Sequence, residues 1–206
     1  MTFVLGLTGS IGMGKSTTAM MFRRHGVPVH DADAVVHALY LGAAAPLVEE
    51  AFPGSAPTGV VDRAALSAMV VGRPERIRRL ESIVHPLVRA ERDRFLGAAL
   101  SARAPLALLD VPLLMETGGD AVCDAVCVVT AAAGIQRARV LERPGMTAEK
   151  LDAILARQMP DRDKRRRAHF LVDTGRGHAA AEAQVRDILR ALAGRPGPAV
   201  ARPEDA

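Results

Sequence analysis

Tryptophan is missing from this 206-residue sequence, tyrosine occurs once, and aromatic residues make up only 3%. Apolar residues still reach 49%, so Leu, Val, Ile and Ala must fill the core, a composition typical of helix-rich α/β proteins. Cysteine is scarce as well. Cys123 and Cys127 share the apolar run "VCDAVCVV" with no His or Cys partner at ligand spacing. That argues against a disulfide or a metal site and for two buried thiols. No apolar run approaches membrane-spanning length, and the start "MTFVLGLTG" lacks both a basic stretch and an export-length apolar segment. The expected location is the cytoplasm, with no membrane partner. Asparagine is absent, and no glycine has an aspartate three residues before it.

Lysine is the next scarcity. Of 27 basic residues three are lysine, Lys15, Lys150 and Lys164, and the other 24 are arginine. The net charge of +4 and a pI near 9.7 would suit a polyanion. The 23 acidic residues are interleaved with the basic ones, however, so a small phosphorylated ligand explains the balance as well as nucleic acid does. A nucleic-acid partner is not expected.

What is present alternates between short apolar runs and helical periodicity. Residues 3 to 8, 27 to 30, 106 to 114, 124 to 131 and 169 to 173 read as short strands. Residues 15 to 26, 134 to 143, 147 to 158 and 178 to 194 read as helices, with Thr147 placed to cap the third. From 62 to about 100 the pattern is helical, and Pro86 is expected to split it, His85 ending one helix and Pro86 opening the next. Residues 42 to 59 give no clear element. The Pro- and Ala-rich residues 195 to 206 are expected to be mobile. This order predicts an α/β fold, a doubly wound parallel sheet with a helical insertion between the second and third strands.

The segment "GSIGMGKS" satisfies G-x-x-x-x-G-K-[ST] through Gly9, Gly14, Lys15 and Ser16. Glycines let successive backbone N–H groups point inward at phosphate oxygens, Lys15 would reach the β and γ phosphates, and the Ser16 hydroxyl would ligate Mg²⁺. A strand before the loop and a helix after it supply the required context, and the helix adds the positive end of its dipole. A guanine switch would need Asn-Lys-x-Asp and D-x-x-G, both of which the sequence lacks. Motor and transport ATPases need longer signature segments. A compact kinase remains.

A kinase needs a carboxylate to orient the acceptor hydroxyl and take its proton. Asp31 and Asp33 in "HDADAVVH" follow the second strand and are either that carboxylate or helix-start residues. Asp110 ends "LALLD" and is either a Mg²⁺-assisting acid or a turn residue before Pro112. Arg137, Arg139 and Arg143 lie on or beside one helix leading into "RPGM", where arginines could neutralise transferring charge. The run "DRDKRRRAH" reads as a solvated helix face.

Taken together, "GLTGSIGMGKST", "DAD" at 31 to 33, "VDRAALSAMV", "LESIVHPLV", "DVPLLME", "QRARVLERPGM" and "ILARQM" resemble the dephospho-CoA kinases, over residues 3 to about 175. The phosphate loop alone is shared with many kinases; "HPLV" and "DVPLLME" in this order are more particular. The resemblance implies a P-loop fold akin to the nucleoside-monophosphate kinases, with one enzyme unit over residues 1 to 206. Its core would comprise residues 1 to 35 and 106 to 194, its helical CoA-binding insertion 36 to 105, and its lid 137 to 160. ATP and Mg²⁺ are the implied cofactors, and dephospho-CoA, phosphorylated on its ribose 3′-hydroxyl, the implied partner.

Carried over residue by residue, Gly12, Met13, Gly14, Lys15, Ser16 and Thr17 would wrap the ATP phosphates. Asp33 would be the general base, with Lys15 and either Arg139 or Arg143 assisting. Asp31, His85, Pro86, Asp110 and Glu116 would face the acceptor. Ser16 would hold Mg²⁺, with Asp110 as a candidate second ligand. The chain departs from the family pattern at His169, where Asp is common, and at Thr174, where Asn is common. Ser10 in the loop and the Leu-Met pair before Glu116 are milder departures. The alternatives are a kinase for another small hydroxylated acceptor or an ATP-binding regulatory module.

Overall fold

Residues 3 to 8 alternate side chains between two faces, and all six are buried, as a central parallel strand covered on both sides requires. In the computed structural model, which describes residues 1–195 and 197, this strand is β1 (Phe3–Thr8). It lies between β3 (Leu106–Asp110) and β4 (Ala125–Thr130), parallel to both, with Leu7 beside Asp110 on one side and Cys127 on the other. β2 (Val29–Asp31) and β5 (Phe170–Asp173) complete the order β2-β3-β1-β4-β5. The expected parallel α/β fold is therefore present.

The chain divides into two compact units. The first comprises Met1–His30 and the described residues from Ala98 onward; the second is Asp31–Gly97. In the first, α1 (Lys15–Arg24) and α9 (His178–Leu192) pack Phe22, Val185 and Ile188 against Leu5, Leu7, Cys127 and Val129 of the sheet. The opposite pleats, Val126 and Val128, meet Leu114 and Met115, with Met159 and Ala168 alongside. Three further helices, α6 (Ala133–Leu141), α7 (Ala148–Leu155) and α8 (Asp161–Arg167), separate β4 from β5. Thr147 caps α7 as expected, its hydroxyl accepting from the Lys150 N–H at 3.3 Å.

The second unit holds α2 (Ala32–Tyr40), α3 (Ala45–Ala51), α4 (Arg63–Val70) and most of α5 (Pro74–Ser101). Its core joins Leu39, Val48, Phe52, Leu66 and Val70 to Leu80, Ile83, Leu87 and Val88 of α5. The expected break at Pro86 is absent: α5 runs unbroken through it. Proline removes one N–H and disfavours helix by about 3 kcal/mol. Apolar residues on both sides of Pro86 sit in one core, and that packing overrides the local preference. His85 is accordingly an exposed mid-helix residue, not a helix terminus.

The insertion expected at 36 to 105 compares with a compact unit of Asp31–Gly97. Of the tail expected to be mobile, only Arg195 and Gly197 lie within the described residues. No helix among the described residues is long and apolar enough to cross a membrane.

Candidate active site

The loop after β1 needs glycine for two reasons. A Cβ on Gly9 would stand 2.7 Å from the Val129 carbonyl oxygen, so β4 can approach only a bare backbone. Gly14 adopts φ +90°, a left-handed conformation that strains other residues, and from there it opens α1. No side chain caps α1 and no acidic residue lies in its first turn. The first N–H groups of a helix have no intrahelical partners, so this end is left for an anion. The Ser16 and Thr17 side chains are exposed there.

Lys15, the first residue of α1, reaches across β1 to Asp110, the last of β3, with Nζ 2.6 Å from Oδ1. Asp110 is only 2% exposed. The pairing therefore holds both charges at the C-terminal edge of the sheet, where ligands of such folds bind. The hydroxyl of Ser16 and the Asp110 carboxylate are hard oxygen donors of the kind Mg²⁺ takes, alongside phosphate oxygens. Among the described residues no group of three or more His, Cys, Asp or Glu could hold a metal by itself. That fits an ion carried chiefly by its substrate.

A cavity of about 250 Å³ opens beside the loop. Gly12, Gly14, Thr17, Arg139, Arg143 and Thr174 are among the residues that line it, with Met21 and His178. The two arginines differ. Arg139 donates to the Thr174 hydroxyl at 2.8 Å and to its carbonyl at 2.9 Å, while the Thr174 hydroxyl donates to the Met13 carbonyl at 2.8 Å. Arg143 is exposed and has no ion pair or hydrogen bond from its side chain among the described residues. Thr174 thus links the last loop to the phosphate loop at the position where it departs from the family pattern. His169 serves the sheet instead: its backbone N–H donates to the Val126 carbonyl, and its Nδ1 accepts from the Val126 N–H.

Glu116 is held within the protein. Its Oε1 accepts from the Met159 N–H at 2.9 Å and lies 2.8 Å from Lys164 Nζ, forming an ion pair. Burial works to raise the Glu116 carboxyl, but Lys164 and the backbone N–H donors together outweigh it and hold the group below the usual glutamate range. Lys164 itself is completely buried. The run "DRDKRRR" is therefore not solely a solvated face, because α8 turns one of its charges inward.

In the second unit, Asp31 is the N-cap of α2, its Oδ1 accepting from the Ala34 N–H at 3.0 Å. This is the helix-start alternative for Asp31. Asp33, in the first turn, is exposed and makes no side-chain hydrogen bond or ion pair among the described residues. His85 and Pro86 are exposed on α5.

A profile of the dephospho-CoA kinase family matches residues 3–179. This chain belongs to that family. A dephospho-CoA kinase of Mesorhizobium japonicum is 60% identical over 194 residues, covering 94% of this chain and 98% of the relative. One of Brucella melitensis is 54% identical, covering 94% and 96%. A solved structure from Thermus thermophilus superposes with a TM-score of 0.81 at 34% identity, over 94% of this chain and 99% of that one. The dephospho-CoA kinase of Campylobacter jejuni shares the fold, with a TM-score of 0.71 at 22% identity, over 93% and 98%.

Sequence reading missed Gln136 and Gln158. They hold the phosphate loop from either side: the Ile11 N–H donates to Gln158 Oε1 at 3.2 Å, and Gln136 Nε2 donates to the Ile11 carbonyl at 2.7 Å. The available signal was a polar residue at Gln136 one helical turn from Val140, on the face that α6 buries.

Proposed function

We propose that this protein transfers the γ-phosphoryl group of ATP to the ribose 3′-hydroxyl of dephospho-CoA, giving coenzyme A and ADP, the last step of coenzyme A synthesis. The observation that carries the reading is near-full-length likeness to dephospho-CoA kinases, 60% identity with both chains covered almost completely. The uncapped start of α1, with Lys15 beside it, supports the donor half.

In this mechanism the loop from Gly12 to Thr17 wraps the donor phosphates, and the Lys15 ammonium spreads their charge together with the loop N–H groups other than that of Met13, which donates to the Ser10 carbonyl at 3.1 Å. Bound Mg²⁺, held by Ser16 and Asp110, would supply further neutralisation of the phosphate oxygens. Asp33 orients the acceptor hydroxyl and removes its proton; its exposed, unpaired carboxylate at the start of α2 suits a base that must meet an incoming substrate. Arg143, unpaired and lining the cavity, answers the charge on the moving phosphoryl group. Arg139 acts one step back by fixing Thr174. The residues 137 to 160 form the lid, and Asp31, His85, Pro86 and Glu116 shape the acceptor side, Asp31 and Glu116 by fixing local structure.

The test is ADP release with dephospho-CoA, AMP, shikimate or no acceptor. Acceleration by dephospho-CoA alone is expected. Equal rates with AMP or shikimate would assign another acceptor, and ATP binding with no acceptor-dependent release would make this a regulatory binder.

A further inference from the structure

The Ile11 backbone, inside the phosphate loop, is gripped on both of its polar groups. Its N–H donates to Gln158 Oε1 at 3.2 Å and its carbonyl accepts from Gln136 Nε2 at 2.7 Å. An N–H already bonded to Gln158 is not available to a phosphate, so the anion-binding run of the loop begins after Ile11. The two glutamines also bracket one segment. Gln136 lies in the first turn of α6 and Gln158 just beyond α7, so everything between them, Arg139 and Arg143 included, is tied at both ends to one residue, Ile11.

Each glutamine is itself held. Gln136 is 7% exposed on the buried face of α6. Gln158 precedes Met159, whose N–H donates to Glu116 at 2.9 Å. Pro160, next along, accepts from the Lys164 N–H at 3.1 Å, and buried Lys164 pairs with the same Glu116. The strap 158 to 160 is therefore fastened to the phosphate loop at one end and to the Glu116–Lys164 pair at the other.

We propose that Gln136 and Gln158 are positioning residues for phosphoryl transfer: by clamping the backbone N–H and carbonyl of Ile11 between them they fix the phosphate loop and the arginine-bearing segment in one register. This rests on the loop being the ATP site. Neither glutamine need touch substrate. Both act through Ile11, so their effects should overlap instead of multiplying.

Gln136→Met and Gln158→Met keep side-chain length and remove the polar contact. Steady-state kinetics of the full chain with varied ATP and varied dephospho-CoA provide the test, with melting temperature measured alongside. Each single variant is expected to raise KM for ATP about tenfold, the worth of one hydrogen bond. KM for dephospho-CoA should stay within about twofold. The double variant should be little worse than the worse single one. Ile188→Val, in the α9 core, should lower the melting temperature without moving KM for ATP. The proposal is overturned if both glutamine variants keep the parent KM for ATP, if the Ile188 variant raises it equally, or if the two effects multiply in full. Lys15→Met separates the underlying reading: full turnover in that variant would remove the loop as ATP site, and the clamp's role with it.

Discussion

Lys15 and Asp110 show how one pair serves both fold and chemistry. The Asp110 side chain is 3% exposed and Lys15 is the charge beside it. Truncating Lys15 to Ala should therefore abolish turnover and also lower stability, because the buried Asp110 carboxylate loses its ammonium partner. Urea denaturation beside an activity assay reads both. Asp33 should separate the two effects. Being exposed and unpaired, Asp33→Ala should leave the melting temperature and ATP affinity nearly intact while kcat falls by about 10²–10⁴. Near-parent turnover would remove Asp33 from the mechanism. The arginines divide likewise: Arg143→Ala should lower kcat with unchanged stability, whereas Arg139→Ala should lower stability as well, because it frees Thr174 from its bonds to α6. For Cys127 the relevant property is inertness. Burial pushes its thiol up to about 12, so it should resist alkylation in the folded protein and react on unfolding.

At the scale of elements, α5 carries a penalty in its interior that its packing covers. Pro86→Ala restores an N–H where the helix is already continuous, so unfolding should need about 1–3 kcal/mol more, measured by urea titration. The strands and the phosphate loop were legible in the sequence because their signals are local: apolar runs bounded by glycine, and a fixed spacing of Gly9, Gly14, Lys15 and Ser16. Pro86 misled because the same local rule was overridden by Ile83 and Leu87 packing into one core. Lys164 misled for a related reason. Seven consecutive charges announce a solvated face, and only the tertiary partner, Glu116, reveals that one of them turns inward. Gln136 and Gln158 stand 22 positions apart in sequence yet meet at a single residue, Ile11, a relation no local pattern carries.

At the scale of the whole molecule, a buried ion pair and a transfer reaction make separate demands. The Glu116 carboxyl is depressed in the folded state relative to the ordinary 4.5, so its stabilising contribution is present above that value. It is lost as pH falls through the lower folded value. Glu116→Gln should therefore melt below the parent at neutral pH, and the gap should close as pH falls below 4.5 and through the lower folded value. Thermal melts across pH 3 to 7 check this. A buried pair of this kind fixes the chain in place; a phosphate loop, a free arginine and an exposed aspartate are left for substrate. The central claim is that the loop donates to the ribose of dephospho-CoA. The most direct measurement is mass analysis of products after incubating purified protein with ATP, Mg²⁺ and dephospho-CoA. The account predicts dephospho-CoA gaining one phosphate, equimolar with ADP formed, and no change without ATP. ADP appearing while dephospho-CoA stays unmodified would contradict it.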